Sequence, residues 1–242
     1  MKASPRQQQL LLNLQDLDTA LARMRRRRQQ LPERAELEAM ADESQAAKQA
    51  FMAVQRELDA QQAEIDRLES DIEVVQQRIT RDEQLIAAST AAKEAQSLQQ
   101  ELEVLARRWG ELEDKELELL EAAEDTQQRF AAVTHDLNQV DQRREALIEA
   151  IAAGEREIDA AAAAVAEERA GLAAELQRDL LDHYEQLRSR LGIGAARLRG
   201  KISEASNMEL APAELSGILA TAPDELVHCP QSGAILVRTF DE

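Results

Sequence analysis

Cysteine occurs once in the 242 residues, at Cys229, so no disulfide framework can form within the chain. A lone thiol fits a reducing compartment. Aromatic side chains make up 2% of the sequence, with one Trp and one Tyr, too few for the ring-rich core of a globular domain of this length. Glycine and proline are scarce, at 8 and 5 residues, which leaves little turn chemistry. No window approaches the ~18 consecutive apolar residues of a membrane-spanning helix. The opening MKASPRQQQLLLNLQDLD lacks the apolar centre of a secretory leader. The expectation is a cytoplasmic protein with no membrane contact. Positive charge is also short: 29 Lys and Arg stand against 47 Asp and Glu, for a net charge of −18. Phosphate contact needs a basic surface, so general nucleic-acid binding is disfavoured. A Gly-rich phosphate loop, His/Glu metal spacing and a nucleophile motif are all missing, and His135, His183 and His228 are scattered. No enzyme is expected, and no catalytic or cofactor-binding residue is assigned.

What the chain has in abundance is Ala, Leu, Glu, Gln and Arg, the composition of long helices and coiled coils. Steps of three and four from Leu37 land on Met40, Ser44, Ala47, Phe51, Val54, Leu58, Gln61, Ile65, Leu68, Ile72, Val75, Ile79, Asp82 and Ile86. A second seam runs from Leu98 through Trp109, Leu119, Phe130, Leu137, Leu147 and Ile158 to Val165, and a shorter one spans Leu10 to Met24. Such alternation is a heptad seam. Polar residues inside it, Gln61, Asp82, Glu116 and Arg144, are expected to set register. The two long seams are out of phase across AASTAAKEAQS, so a turn is expected near Ala87–Lys93, with Ser89 or Thr90 able to cap the next helix. Folding back there gives an antiparallel hairpin with arms of ~85 residues, each on the order of 125 Å long at ~1.5 Å per residue. It sets Leu37 beside Leu147 and Leu10 beside Ala173. Pro32 breaks the first arm and falls opposite Gly154 on the second, which reads either as a paired joint or as a plain helix break.

The helical pattern is expected to run to about Arg190, where Gly192, Gly194 and Gly200 introduce loops and strands. ISEASNMEL reads as strand, turn, strand; PAELSGILA reads as a short helix with Pro212 in its first turn. In ELVHCPQSGAILVRT two β-type runs flank the turn Pro230–Gly233, the outline of a zinc knuckle with one thiol, Cys229, and Ser232 three residues on. The expected small core of this lobe is Met208, Leu210, Leu215, Ile218, Leu219, Leu226, Ile235 and Val237. Two basic stretches invert the local charge: Arg25, Arg26, Arg27 and Arg28 on the first helix, and Arg188, Arg190, Arg197, Arg199 and Lys201, a span without an acid. These nine are the candidate contacts for an acidic partner or for phosphate. The fold class is therefore mainly α: residues 1–190 form a long antiparallel coiled-coil hairpin, and 191–242 form a small α+β lobe.

Four segments in order carry a family resemblance: LLNLQDLDTALARMRRRRQQLPERAEL, KEAQSLQQELEVLARRWGELED, YEQLRSRLGIGAARLRG and ELAPAELSGILATAPDELVHCPQSGAILVR. Together they resemble the bacterial C4-type zinc-ribbon family with a coiled-coil hairpin, a domain-of-unknown-function type, and within it the actinobacterial branch. The resemblance implies a ribbon-like lobe in which two Cys-x-x-Cys pairs hold zinc. Those pairs fall here on Ser203 and Ser206, and on Cys229 and Ser232. Three of the four positions are degenerate, and a neutral hydroxyl is a poor zinc ligand. No cofactor is expected, zinc included. The resemblance also implies binding to transcription components such as an alternative sigma factor, or to flagellar and type III secretion proteins, with some members described as nucleic-acid binders. The expected function is thus a non-enzymatic scaffold or adaptor that binds partner proteins through hairpin and lobe. The alternative is a nucleic-acid-binding module using Arg188–Lys201 and the lobe; self-association is a third reading.

Overall fold

The structure, a computed structural model, describes residues 1–238. Thr239, at the end of the knuckle-like stretch, and the rest of the 191–242 lobe beyond residue 238 lie outside the described residues. Five helices precede a small mixed lobe: α1 (Pro5–Gln29), α2 (Pro32–Ala39), α3 (Ala41–Ala88), α4 (Ala92–Glu175) and α5 (Arg178–Leu191). The lobe contains β1 (Ala195–Arg199), β2 (Ile202–Ser203), β3 (Met208–Glu209), α6 (Pro212–Ala220), β4 (Val227–His228) and β5 (Ile235–Arg238). The protein is mainly helical, a long helical hairpin with a small strand-containing lobe.

Local chemistry accounts for the helix ends. Ser4 accepts the Gln7 backbone N–H at 3.3 Å and Pro5 occupies the first helical position, which together start α1. Ser89 holds the turn between α3 and α4: its hydroxyl accepts from the Ala91 N–H at 3.3 Å and lies 3.2 Å from Glu94 Oε2, to which it donates. Pro32 interrupts the first arm, and a second irregularity follows at Met40. Gly154, in contrast, lies inside an unbroken α4. Its role is space: a Cβ there would stand 3.3 Å from the Leu31 side chain. Of the two readings, the structure has the plain helix break, on the proline arm only. The helix expected to run on to Arg190 is also divided, between Glu175 and Arg178.

Contacts divide the chain differently from the 190/191 boundary. Met1–Arg34 and Ala150–Glu242 form one compact unit, and Ala35–Glu149 forms the other. In the second unit the seam buries Ile65, Leu68, Leu112 and Val140, together with the polar Ser44, Asp82 and Thr126. Phe51 and Phe130 meet with ring centroids 5.3 Å apart. Arg129 grips Glu57 through two bonds of 2.6 and 3.1 Å, and Arg143 pairs with Glu43.

In the first unit the lobe and the helix ends share a core. The sheet order is β3-β2-β1-β5-β4, with β1 and β5 parallel and the other pairs antiparallel. Side chains alternate across it. Ala195, Ile235 and Val237 face a cluster with Leu11, Leu12, Leu14, Leu180, Tyr184 and Leu187. Leu198 and Leu236 join a second cluster with Leu210, Ile218, Val227 and Cys229. Of the expected lobe core, Met208 and Leu219 are more than half exposed and belong to neither cluster. Both are spent on edges: Met208 on the outermost strand β3, Leu219 on the outer side of α6. Residues before α1 complete the sheet edge, with the Ala3 N–H bonded to Asp224 O at 2.8 Å and the Leu226 N–H to Met1 O at 3.1 Å.

Candidate functional site

The two basic stretches differ in what surrounds them. In the C-terminal one, Arg188 contacts Glu185 at 2.7 Å and Asp18 at 3.4 Å. Arg197 binds Asp16 at 2.5 Å and Glu204 at 3.8 Å; Arg199 lies 3.8 Å from Glu204, and Lys201 pairs with Glu209. Only Arg190 of these five meets no carboxylate among the described residues. On α1 the seam residues Leu21 and Met24 are half-buried, as is Arg28 four residues on, and Arg28 bonds Asp159 at 3.1 Å and Glu155 at 3.4 Å. Arg25, Arg26 and Arg27 point to solvent, with no carboxylate partner among the described residues, and Arg23 joins them. The local reason is the period of the helix: with positions 21, 24 and 28 committed to the seam, the residues between them face out.

Sequence reasoning passed over a buried polar network that ties α1, α4 and α5 to the start of β1. Asp18, 8% exposed, accepts Arg169 Nε at 2.7 Å and Nη2 at 3.1 Å, and the Tyr184 hydroxyl donates to it at 2.8 Å. Gln15 Oε1 lies 3.1 Å from the same hydroxyl and accepts the Gly194 N–H at 2.8 Å. Glu185 pairs with both Arg169 and Arg188. Burial, followed by the Asp18 carboxylate, pushes the Tyr184 phenol well above its ordinary range. Burial raises Glu185, but the Arg169 and Arg188 guanidinium groups outweigh it and hold the carboxyl below its usual value. Gly194 is required by close approach, since a Cβ there would sit 2.5 Å from the Tyr184 ring. The faint signals were a lone tyrosine and an Asp one step off the Leu10–Met24 seam. A second missed residue is Arg238 on β5, which is buried and donates to four carbonyls: Ile218 at 3.1 Å, Thr221 at 2.5 Å, Ala222 at 2.8 Å and Glu225 at 2.9 Å. It satisfies the open end of α6 and the loop after it.

The four positions that the resemblance assigns to zinc come together. Ser203 Oγ donates to Cys229 Sγ at 3.2 Å, and Cys229 Sγ lies 3.9 Å from Ser206 Oγ. Burial pushes the Cys229 thiol up, but hydrogen bonds from Ser203, Ser232 and the backbone of Ser232 and Gln231 outweigh it and bring it down to about 7. The donor set does not fit a structural zinc, which takes four thiolate or imidazole ligands. Three donors here are neutral hydroxyls, and among the described residues no group of three or more His, Cys, Asp or Glu is placed to hold a metal ion. His228 is exposed beside the buried Cys229 and meets His183 instead, Nε2 to Nε2 at 3.0 Å. His135 is exposed on α4 against Gln139. Among the described residues no helix is long and apolar enough to cross a membrane.

Comparison with known proteins agrees with this architecture. The uncharacterized protein Rv2229c of Mycobacterium tuberculosis is 37% identical over 239 residues, covering 98% of this chain and 98% of the relative. A solved structure from Mycobacterium smegmatis superposes with a TM-score of 0.88 at 32% identity, covering 99% of this chain and all of the other. CT398 from Chlamydia trachomatis, at 19% identity, shares the fold with a TM-score of 0.65 over 97% of this chain and 98% of its own. Residues 14–192 match the CT398-like coiled coil hairpin domain, and the chain belongs to that family.

Proposed function

We propose that the protein is a non-enzymatic scaffold or adaptor of the cytoplasm that binds an acidic segment of a partner protein. The observation that carries this reading is the exposed run Arg25–Arg27, unpaired among the described residues on a chain of net charge −18. Intramolecular acids engage most other cations of the two basic stretches, including Arg28, Arg188, Arg197 and Lys201. Three adjacent guanidinium groups left to solvent at the end of α1 offer planar, bidentate donors to carboxylates. The hairpin adds surface of a different kind: Val74 and Leu85 on α3, and Leu117 and Leu120 on α4, are exposed apolar residues that a partner helix can cover. The ribbon-like lobe, in this reading, is the second contact, and the partner belongs to the transcription or secretion machinery that the sequence resemblance implies. The nucleic-acid alternative rested on Arg188–Lys201, whose cations are largely satisfied within the fold.

The test uses the full chain. Partners retained from native lysate by the wild-type protein are compared with those retained by Arg25→Glu/Arg26→Glu/Arg27→Glu and by the corresponding Lys triple. Loss with Glu, weakened but detectable retention with Lys, and weakening by salt are expected for a single acidic protein. An unchanged partner set sinks the reading. Nucleic acid lost in the same Glu variant would replace the acidic protein as the ligand.

A further inference from the structure

Two turns of the lobe have one shape. In Ser203–Asn207 the N–H of the fifth residue, Asn207, donates to the carbonyl of the first, Ser203, at 2.8 Å. In Cys229–Gly233 the Gly233 N–H donates to Cys229 O at the same 2.8 Å. The fifth residue of each is left-handed, with φ of 55° at Asn207 and 78° at Gly233. Asn tolerates that conformation and Gly adopts it without strain. The first and fourth positions are then equivalent in the two turns: Ser203 and Ser206 in one, Cys229 and Ser232 in the other.

These side chains form a directed relay that crosses between the turns at every step. Ser203 Oγ donates to Cys229 Sγ at 3.2 Å, Cys229 Sγ to Ser206 Oγ at 3.9 Å, and Ser206 Oγ to Gln231 Oε1 at 2.7 Å. Ser203 is fully buried and its hydroxyl donates to Cys229, itself 1% exposed, so the thiol is the partner that satisfies this buried hydroxyl. Around them Leu198, Leu210, Ile218, Val227 and Leu236 supply an apolar shell. A lobe of this size gains from a cross-link between its loops, and the relay occupies the point where one would act.

We propose that this thiol–hydroxyl relay serves in place of a metal as the cross-link between the two turns, whose backbones are equivalent and whose first residues, Ser203 and Cys229, meet directly. The lobe is therefore metal-independent as it stands and one substitution set away from binding an ion. In the wild-type chain, metal analysis finds no stoichiometric zinc, and a chelator leaves the melting temperature unmoved. The variant Ser203→Cys/Ser206→Cys/Ser232→Cys takes up cobalt(II) at one ion per chain, with the thiolate charge-transfer and d–d absorption of a tetrahedral sulfur site. Tightly held stoichiometric zinc in the wild-type protein overturns the proposal. So does a folded triple variant that shows no tetrahedral cobalt spectrum. Should that variant fail to fold, Ser203→Ala decides: removing the donor to the buried thiol is expected to speed amide exchange at Asn207 and Gly233 by about tenfold or more, and unchanged exchange at both overturns the relay.

Discussion

Asp18 is a carboxylate held out of water between Arg169 and Arg188, with the Tyr184 hydroxyl on its second oxygen. A buried ion pair contributes little when intact, but removing one partner strands the other charge. Asp18→Ala is therefore expected to cost about 3–5 kcal/mol, read as a lower urea midpoint, and a loss below ~1 kcal/mol would show that the network does not hold the helix ends together. His228 gives a pH signature. Partial burial of its ring, then the neighbouring His183 and the amino group of Met1, keep the imidazole below the ordinary 6.5. The unfolded chain takes up that proton first, so the contribution to stability is full above 6.5 and is lost as the pH falls through the lower folded value. Urea melts at about pH 7.5 and about pH 5 should show a smaller acid loss in His228→Gln than in the wild type; equal losses would remove His228 from the account. Neither residue stands out in one dimension. Asp18 is one acid among 47 Asp and Glu, and His228 acquires its partner from α5.

The breaks between helices were legible where the chain carries its own signal and hidden where another segment supplies it. Pro32 removes a backbone donor, and the end of α1 just before it follows. Between α4 and α5 there is no Gly or Pro. The break is read by Gln7 on α1, whose amide donates to Glu175 O at 3.0 Å and accepts the Gln177 N–H at 2.9 Å. One side chain thus satisfies an orphan carbonyl and an orphan donor at once. Gln7→Ala is expected to destabilise the protein by about 1 kcal/mol, the scale of a helix cap, with faster amide exchange at Gln177. Unaltered exchange there would assign the break to the surrounding packing instead. Gly154 is the converse case. It looked like a weak point, yet α4 passes through it unbroken, and the absent Cβ leaves room for the Leu31 side chain.

For the whole molecule, periodicity alone determined the largest features: mainly helical character, long heptad seams, a return of the chain and a change of pattern after residue 190. These are local properties, set by side-chain spacing along a helix, and a single sequence carries them in full. What only the tertiary structure decided is which groups remain free. Arg197 and Lys201 look as available in sequence as Arg26, but β1 and the loop after it carry them to Asp16 and Glu209 while the turn of α1 leaves Arg25–Arg27 in solvent. The lobe is not a separate body either, because Ile235 and Val237 complete a core begun by Leu11, Leu12 and Leu14, more than 200 residues earlier. Charge pairing and core sharing depend on distance in space, and the chain brings those residues together only once the hairpin has returned α5 and the lobe to α1.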